Sequence, residues 1–230
     1  MLTKKLPYLA IVLEEPLAVY ETPLLRRAVL KLTRYQELLY HNHVSNSFRY
    51  GYPLIQYKSI GGHAAILYLY DGVDGIPALY NRQDRKVRVN GRTFSFVVNR
   101  VRSFNYNLVC GNVFFRYQLR NWLPLQDDNW EEYRSLTDEF EQRDLLRRIL
   151  TGNIKSFARG VDWNIDRVEI GDFTVVREKW VSFKRIKFKA FDVQFSADLF
   201  LPPWIGLGKG AAHNYGVVSA LLSNNETGKL

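Results

Sequence analysis

Apolar residues recur at two spacings along the chain, and the switches between them predict its elements. Residues 7–13 form a compact apolar run that reads as a buried strand. Thr22-Pro23 is a helix start, with Thr as N-cap and Pro at the first helical position. Leu25, Ala28, Val29, Leu32, Tyr35 and Leu39 then recur at helical spacing, with Arg26, Arg27, Lys31 and Arg34 over much of the remaining surface. This helix is expected to end near Tyr40. A polar, aromatic loop covers 41–53. Residues 54–58 and 64–70 read as strands joined by a turn at Gly61-Gly62. Residues 71–82 read as a short helix interrupted by Gly72, Gly75 and Pro77, and residues 86–104 as strand material split at Asn90-Gly91, a hairpin turn signal. Strand, helix, two strands, helix, strand is the order of a ferredoxin-like unit.

The order begins again at a strand over 113–123. Asp128 with Glu131 three residues on predicts a capped helix. Its apolar positions run from Trp130 through Phe140, Leu150 and Phe157, with Gly152 as a possible break and Gly160 as its end. Strands are expected at 167–170, 174–183, 186–191 and 193–201, and a last apolar run at 215–222, before a loose tail over 223–230. The second helix of this half is poorly defined. The expected fold class is α+β: two tandem ferredoxin-like (RRM-like) units. Residues 1–105 would form the first and 106–230 the second.

Charge narrows the partners. The chain of 230 residues carries a net +9, which points to a polyanion. Residues 1–105 hold 15 Lys and Arg against 7 Asp and Glu, a net +8, so the first half is the expected polyanion face. One cysteine, Cys110, excludes an internal disulfide and any cysteine metal cluster, and its apolar surroundings predict a packed thiol. No apolar stretch reaches the length of a membrane span, and residues 1–15 do not read as a signal peptide. A cytoplasmic protein is expected.

Residues 201–218 carry the most specific pattern. After Pro202-Pro203 come Gly206, Leu207, Gly208, Lys209 and Gly210, then Ala211, Ala212, His213, Asn214, Tyr215, then Gly216 and an apolar run. Such glycines admit positive φ and close backbone approach, and Lys209 adds a cation. This pattern resembles the glycine-rich loop of the RAMP superfamily of CRISPR-associated RNA-binding proteins. Within it, the pattern is most similar to the endoribonucleases that cut repeat RNA into guides. That family usually carries another glycine two residues before Gly216, where this chain has Asn214, a residue that tolerates the left-handed region. His213 stands where an apolar residue is common.

The resemblance extends to residues 41–58. His41 and His43 follow the first helix and precede Phe48, Arg49, Tyr50, Gly51 and Tyr52, which resembles the family's aromatic entry to a strand. The resemblance implies a histidine that moves protons in RNA self-cleavage. The RNA's 2′-hydroxyl would attack the adjacent phosphorus, leaving a 2′,3′-cyclic phosphate, with no metal or other cofactor. His43 is the first candidate and His41 the second, Lys58 is the electrostatic candidate, and Tyr40 or Tyr50 would position a proton. Candidate RNA contacts are Gly206, Gly208, Lys209, Gly210, His213, Asn214, Gly216 and Arg49. A basic strand adds Arg185, Lys187 and Lys189, which a period of two sends to one face, with Ile186 and Phe188 on the other. Two alternatives stand beside the nuclease: a non-catalytic RAMP subunit that holds guide RNA among other CRISPR effector subunits, and an unrelated basic binding module.

Overall fold

The computed structural model describes residues 2–33, 43–44, 47–48, 51–183 and 186–221, with the two dipeptides described by their backbone alone. The first unit contains β1 (Leu2–Pro16), α1 (Thr22–Leu32), the short pair β2 (His43–Val44) and β3 (Ser47–Phe48), then β4 (Ile55–Ile60) and β5 (His63–Leu69). It continues through α2 (Ile76–Tyr80) and the hairpin β6 (Val87–Val89) and β7 (Arg92–Phe94) into β8 (Val98–Trp122). The second unit adds α3 (Asp127–Ser135), α4 (Glu139–Gly160), β9 (Ile170–Phe183), β10 (Ile186–Leu199) and β11 (Val217–Ala220).

One antiparallel seven-stranded sheet runs β4-β5-β1-β8-β10-β9, with β11 also on β8. It resolves into two ferredoxin-like orders, β8-β1-β5-β4 and β11-β8-β10-β9, which share β8. The early residues of β8 pair with β1, from Val98 opposite Leu13 to Cys110 opposite Leu2. Its later residues pair with β10 and β11. The change of partner falls at Gly111 (φ 104) and Asn112 (φ 65). Two successive positive φ values turn the strand, and glycine and asparagine are the residues that take them at least cost. β8 therefore crosses position 105/106 without a break.

Alternation along β1 divides its side chains between two cores. Ile11 and Leu13 meet Leu25, Ala28 and Val29 of α1. Leu6, Tyr8 and Ala10 face the other way, into a core built with Trp122, with Leu150, Ile154 and Phe157 of α4, and with Leu201, Ile205 and Leu207. The second core draws on both units. Cys110 lies within it, and burial raises its thiol pKa, as expected of a packed thiol.

Several local expectations are corrected. Thr22 is the first residue of α1, not its cap. Glu21 holds the N-cap position, and the Thr22 hydroxyl donates to Val19 O at 3.1 Å and to His213 O at 3.0 Å. The expected extension of α1 to Tyr40 lies outside the described residues, as does the tail 223–230. Gln126 rather than Asp128 caps α3, without a side-chain bond. The long helix breaks at extended Leu136, and Asp138 restarts it by accepting from Phe140 N at 2.6 Å, while Gly152 sits inside α4. Residues 186–199 form one strand, and the second unit has a loop at 200–216 where a ferredoxin-like unit would place its second helix.

Candidate nucleic-acid interface

The glycine-rich loop closes over the edge strand β4. Gly206 N donates to Gln56 Oε1 at 2.9 Å, Tyr57 N donates to Ala212 O at 2.8 Å, and Ser59 N donates to Asn214 Oδ1 at 3.3 Å. An uncovered edge strand exposes unpaired backbone groups, and this loop covers it. Within the loop, His213 N donates to Gly210 O at 2.7 Å and Leu207 N to Gly216 O at 2.8 Å. Gly208, Gly210 and Gly216 have φ of 79°, 74° and 57°, and Asn214 takes 65°, the left-handed conformation that its identity allows. The need for glycine comes from the protein's own packing. A Cβ on Gly216 would lie 2.0 Å from Leu207 O, and one on Gly208 would lie 2.7 Å from Asn153 Oδ1, which accepts the Trp122 indole N–H. Gly206 is buried against Ala211.

Lys58 does not face outward as a cation for RNA. It has 0% exposure, its Nζ donates to Ala211 O at 2.7 Å, and burial pushes its pKa down to about 7. All of Ile55, Gln56, Tyr57 and Lys58 are buried, because α1 packs on one face of β4 and the loop on the other. A cavity of about 340 Å³ opens beside this contact, lined by Lys58, Ser59, Arg120, Asn121, Trp204 and Asn214 among others. Arg120 is exposed at its mouth. His213 is half-buried, its ring stacked on Tyr57 at 6.3 Å, so it packs the loop down rather than projecting from it.

Lys209 is half-buried, with Nζ 3.0 Å from Gln126 Oε1 and 4.8 Å above the Phe188 ring. The expected row of cations on β10 is only partly free. Lys187 is exposed, but Lys189 pairs with Glu178 at 2.7 Å and lies over the Tyr133 ring. Arg185 lies outside the described residues. The opposite face is not fully covered either: Ile186 is 59% exposed.

His43 opens β2, its backbone paired with Phe48. Tyr40, His41, Arg49 and Tyr50 lie outside the described residues. The boundaries of their segment are tied down. The Thr33 hydroxyl bonds Val29 O at 3.1 Å, and Tyr52 packs edge-on against Phe157 at 5.2 Å. Gln56 Nε2 donates to Tyr52 OH at 2.9 Å while its Oε1 accepts from Gly206. One buried amide thus joins the exit of the histidine loop to the glycine-rich loop. Sequence reasoning missed Gln56, since a single amide in an apolar strand carries no signal of two partners. Among the described residues, no group of three or more His, Cys, Asp or Glu could hold a metal ion, and no helix is long and apolar enough to cross a membrane.

Comparison with known proteins covers almost the whole chain. Residues 4–106 match the family model of the Cas6b N-terminal domain, and residues 109–221 that of the Cas6b C-terminal domain. A crystal structure of Cas6b superposes with a TM-score of 0.84 at 24% identity, covering 95% of this chain and 100% of the other. The CRISPR RNA processing endoribonuclease Cas6b gives 0.69 at 21% identity with the same coverage. The type IV Cas6 crRNA endonuclease Csf5 gives 0.56 at 16%, over 95% of this chain and 100% of that one. At these identities the superpositions speak for the fold. A curated relative, an uncharacterised protein of Methanocaldococcus jannaschii, is 29% identical over 97 residues, 42% of this chain and 65% of the relative's length. With both halves matched in order and the paired ferredoxin-like sheet in place, the chain belongs to the Cas6b family.

Proposed function

We propose that this protein binds CRISPR repeat RNA and cuts it once to release guides, without a metal ion. The observation that carries the reading is the family match over both units, one of whose solved structures is a CRISPR RNA processing endoribonuclease. The first unit, residues 1–105, supplies the histidine loop, and the second, 106–230, supplies the glycine-rich loop that Gln56 ties to it. His43, with His41 as the other candidate, takes the proton of the attacking 2′-hydroxyl or gives one to the leaving 5′-oxygen. Tyr40 or Tyr50 positions that proton. Lys58 acts through the loop it holds, as a positioning residue. Lys209, Lys187 and Arg49 supply charge to phosphates.

The test is single-turnover cleavage of a repeat RNA in EDTA. The expected products are a 2′,3′-cyclic phosphate and a 5′-hydroxyl, and a 2′-deoxy substitution at the cut site abolishes cleavage while sparing binding. His43→Ala slows cleavage by roughly 10²–10⁴-fold, the usual worth of a positioned acid or base. Full activity in the His41/His43 double alanine variant overturns the assignment, and 5′-phosphate products that need a metal overturn the mechanism. Tight binding with no cleavage by the parent assigns the chain to the alternative, a non-catalytic guide-RNA-binding subunit among other effector components.

A further inference from the structure

The first half of β8 is unusually bare. Residues 97–105 are all exposed, because β10 joins β8 only from Cys110 onward. On one face, alternate positions read Arg100, Arg102, Phe104 and Tyr106. Phe104 is 47% exposed and stacks on Tyr106 at 5.2 Å with 25° between the rings. Tyr106 continues the row to Phe200 at 5.4 Å, and the Arg102 guanidinium lies 5.1 Å over the Trp204 ring. Exposed Phe104 and the part-exposed aromatics beside it, with a cation nearby, form a surface that water wets poorly and that nothing among the described residues fully covers.

Charge selects the occupant. Residues 97–109 contain no Asp or Glu, and neither do residues 2–13 of β1 alongside, which carry Lys4 and Lys5. Among the described residues, one ion pair lies at this face, between Lys4 and Asp162. A second copy docking here about a two-fold axis would set these cations against themselves. A polyanion with flat apolar faces matches both features, and single-stranded RNA is such a molecule: bases stack on aromatic side chains while phosphates meet arginine.

We propose that this face of β8 takes a single-stranded stretch of the repeat RNA away from the cut site, with a base on Phe104 and phosphates on Arg100 and Arg102. The proposal rests on the RNA reading above but uses none of its catalytic residues. It is tested with two RNAs: the full repeat, and the shortest repeat fragment that the parent still cuts. Phe104→Ala weakens binding of the full repeat by about tenfold or more, the worth of one stacked base, and leaves binding and cleavage of the short fragment unchanged. Phe104→Trp restores affinity, whereas Phe104→Leu, which keeps apolar area without a stacking ring, does not. Arg102→Ala weakens the full repeat and lowers the salt dependence of its affinity by about one phosphate contact. Equal affinity of the Phe104→Ala variant and the parent for the full repeat overturns the proposal. So does an equal loss on both RNAs, or rescue by leucine, or a parent dimer that Phe104→Ala dissociates. If the parent neither binds nor cuts either RNA, the nuclease reading fails first and takes this one with it.

Discussion

Lys58→Met separates a buried amine from an RNA-facing cation, because the two roles respond to pH and salt in opposite ways. In the folded chain the Lys58 pKa is about 7, against 10.5 for the ordinary side chain. Between these values the unfolded chain binds one more proton than the folded one, so the parent's stability rises with pH. The cost is fully present below pH 7 and gone above 10.5. At about 1.4 kcal/mol per unit it reaches about 5 kcal/mol at neutral pH. Methionine removes that cost. It also removes the hydrogen bond to Ala211 O, and the carbonyl left unpaired under the loop costs about 2 kcal/mol. The variant is therefore expected to be more stable than the parent at pH 6–7 by about 3 kcal/mol, equal to it near pH 9 and less stable at pH 10. Urea denaturation at five pH values, holding ionic strength fixed, measures the crossing. A parent–variant difference that is the same at every pH would refute the titration argument. The salt dependence of RNA affinity is expected to be unchanged, since a buried amine meets no phosphate. A slope reduced by about one contact would return Lys58 to the RNA surface.

Two further outcomes follow from the geometry. Gly216→Ala, with φ at 57° and Leu207 O in the way, is expected to lower stability by about 2 kcal/mol or more, whereas Gly152→Ala, with open space inside α4, raises it by about 0.5–1 kcal/mol; thermal melts of both report the contrast. Lys187→Ala is expected to reduce the salt slope of repeat-RNA binding by about one contact, and Lys189→Ala by less, because Glu178 already holds Lys189; filter binding from 50 to 300 mM salt decides, and equal slopes would argue against any phosphate on this strand.

Much of the fold could be read from spacing. The apolar run at 7–13, the helix begun by Thr22-Pro23 and the turns at Gly61-Gly62 and Asn90-Gly91 all appear, the last with φ of 49° and 81°. These signals are local: a turn residue or a helical period needs no distant partner. The rest depended on partners. The break at Leu136 is hidden because apolar positions continue across it, and only the capping bond from Asp138 marks the restart. The continuity of β8 is hidden because a strand's period is the same whichever strand lies beside it. Lys58 misled for a related reason. Gln56 and Lys58 alternate with Ile55 and Tyr57 as they would on a strand with one wet face, and nothing nearby in sequence announces a loop from 150 residues later. The glycines were legible as a motif, but their reason lies in contacts with Asn153 and Trp122 far outside it, and in the fold-back of Gly216 onto Leu207, which spacing does not announce.

The strand that both halves share constrains how this protein can change over generations. Elsewhere a surface loop absorbs an inserted residue at little cost. Within β8 a single insertion or deletion would rotate every following side chain to the opposite face and slide one half past the other by a residue. Tyr117, Leu119 and Trp122 would leave the core while Arg116, Gln118 and Arg120 entered it. The exceptions are the points where β8 already departs from regular pairing: between Val98 and Arg100, at Gly111-Asn112, and around Asn121, where an irregularity is already accommodated. Changes of length in this strand should therefore collect at those points, and the offset between the two halves is inherited as a count of residues along a single strand.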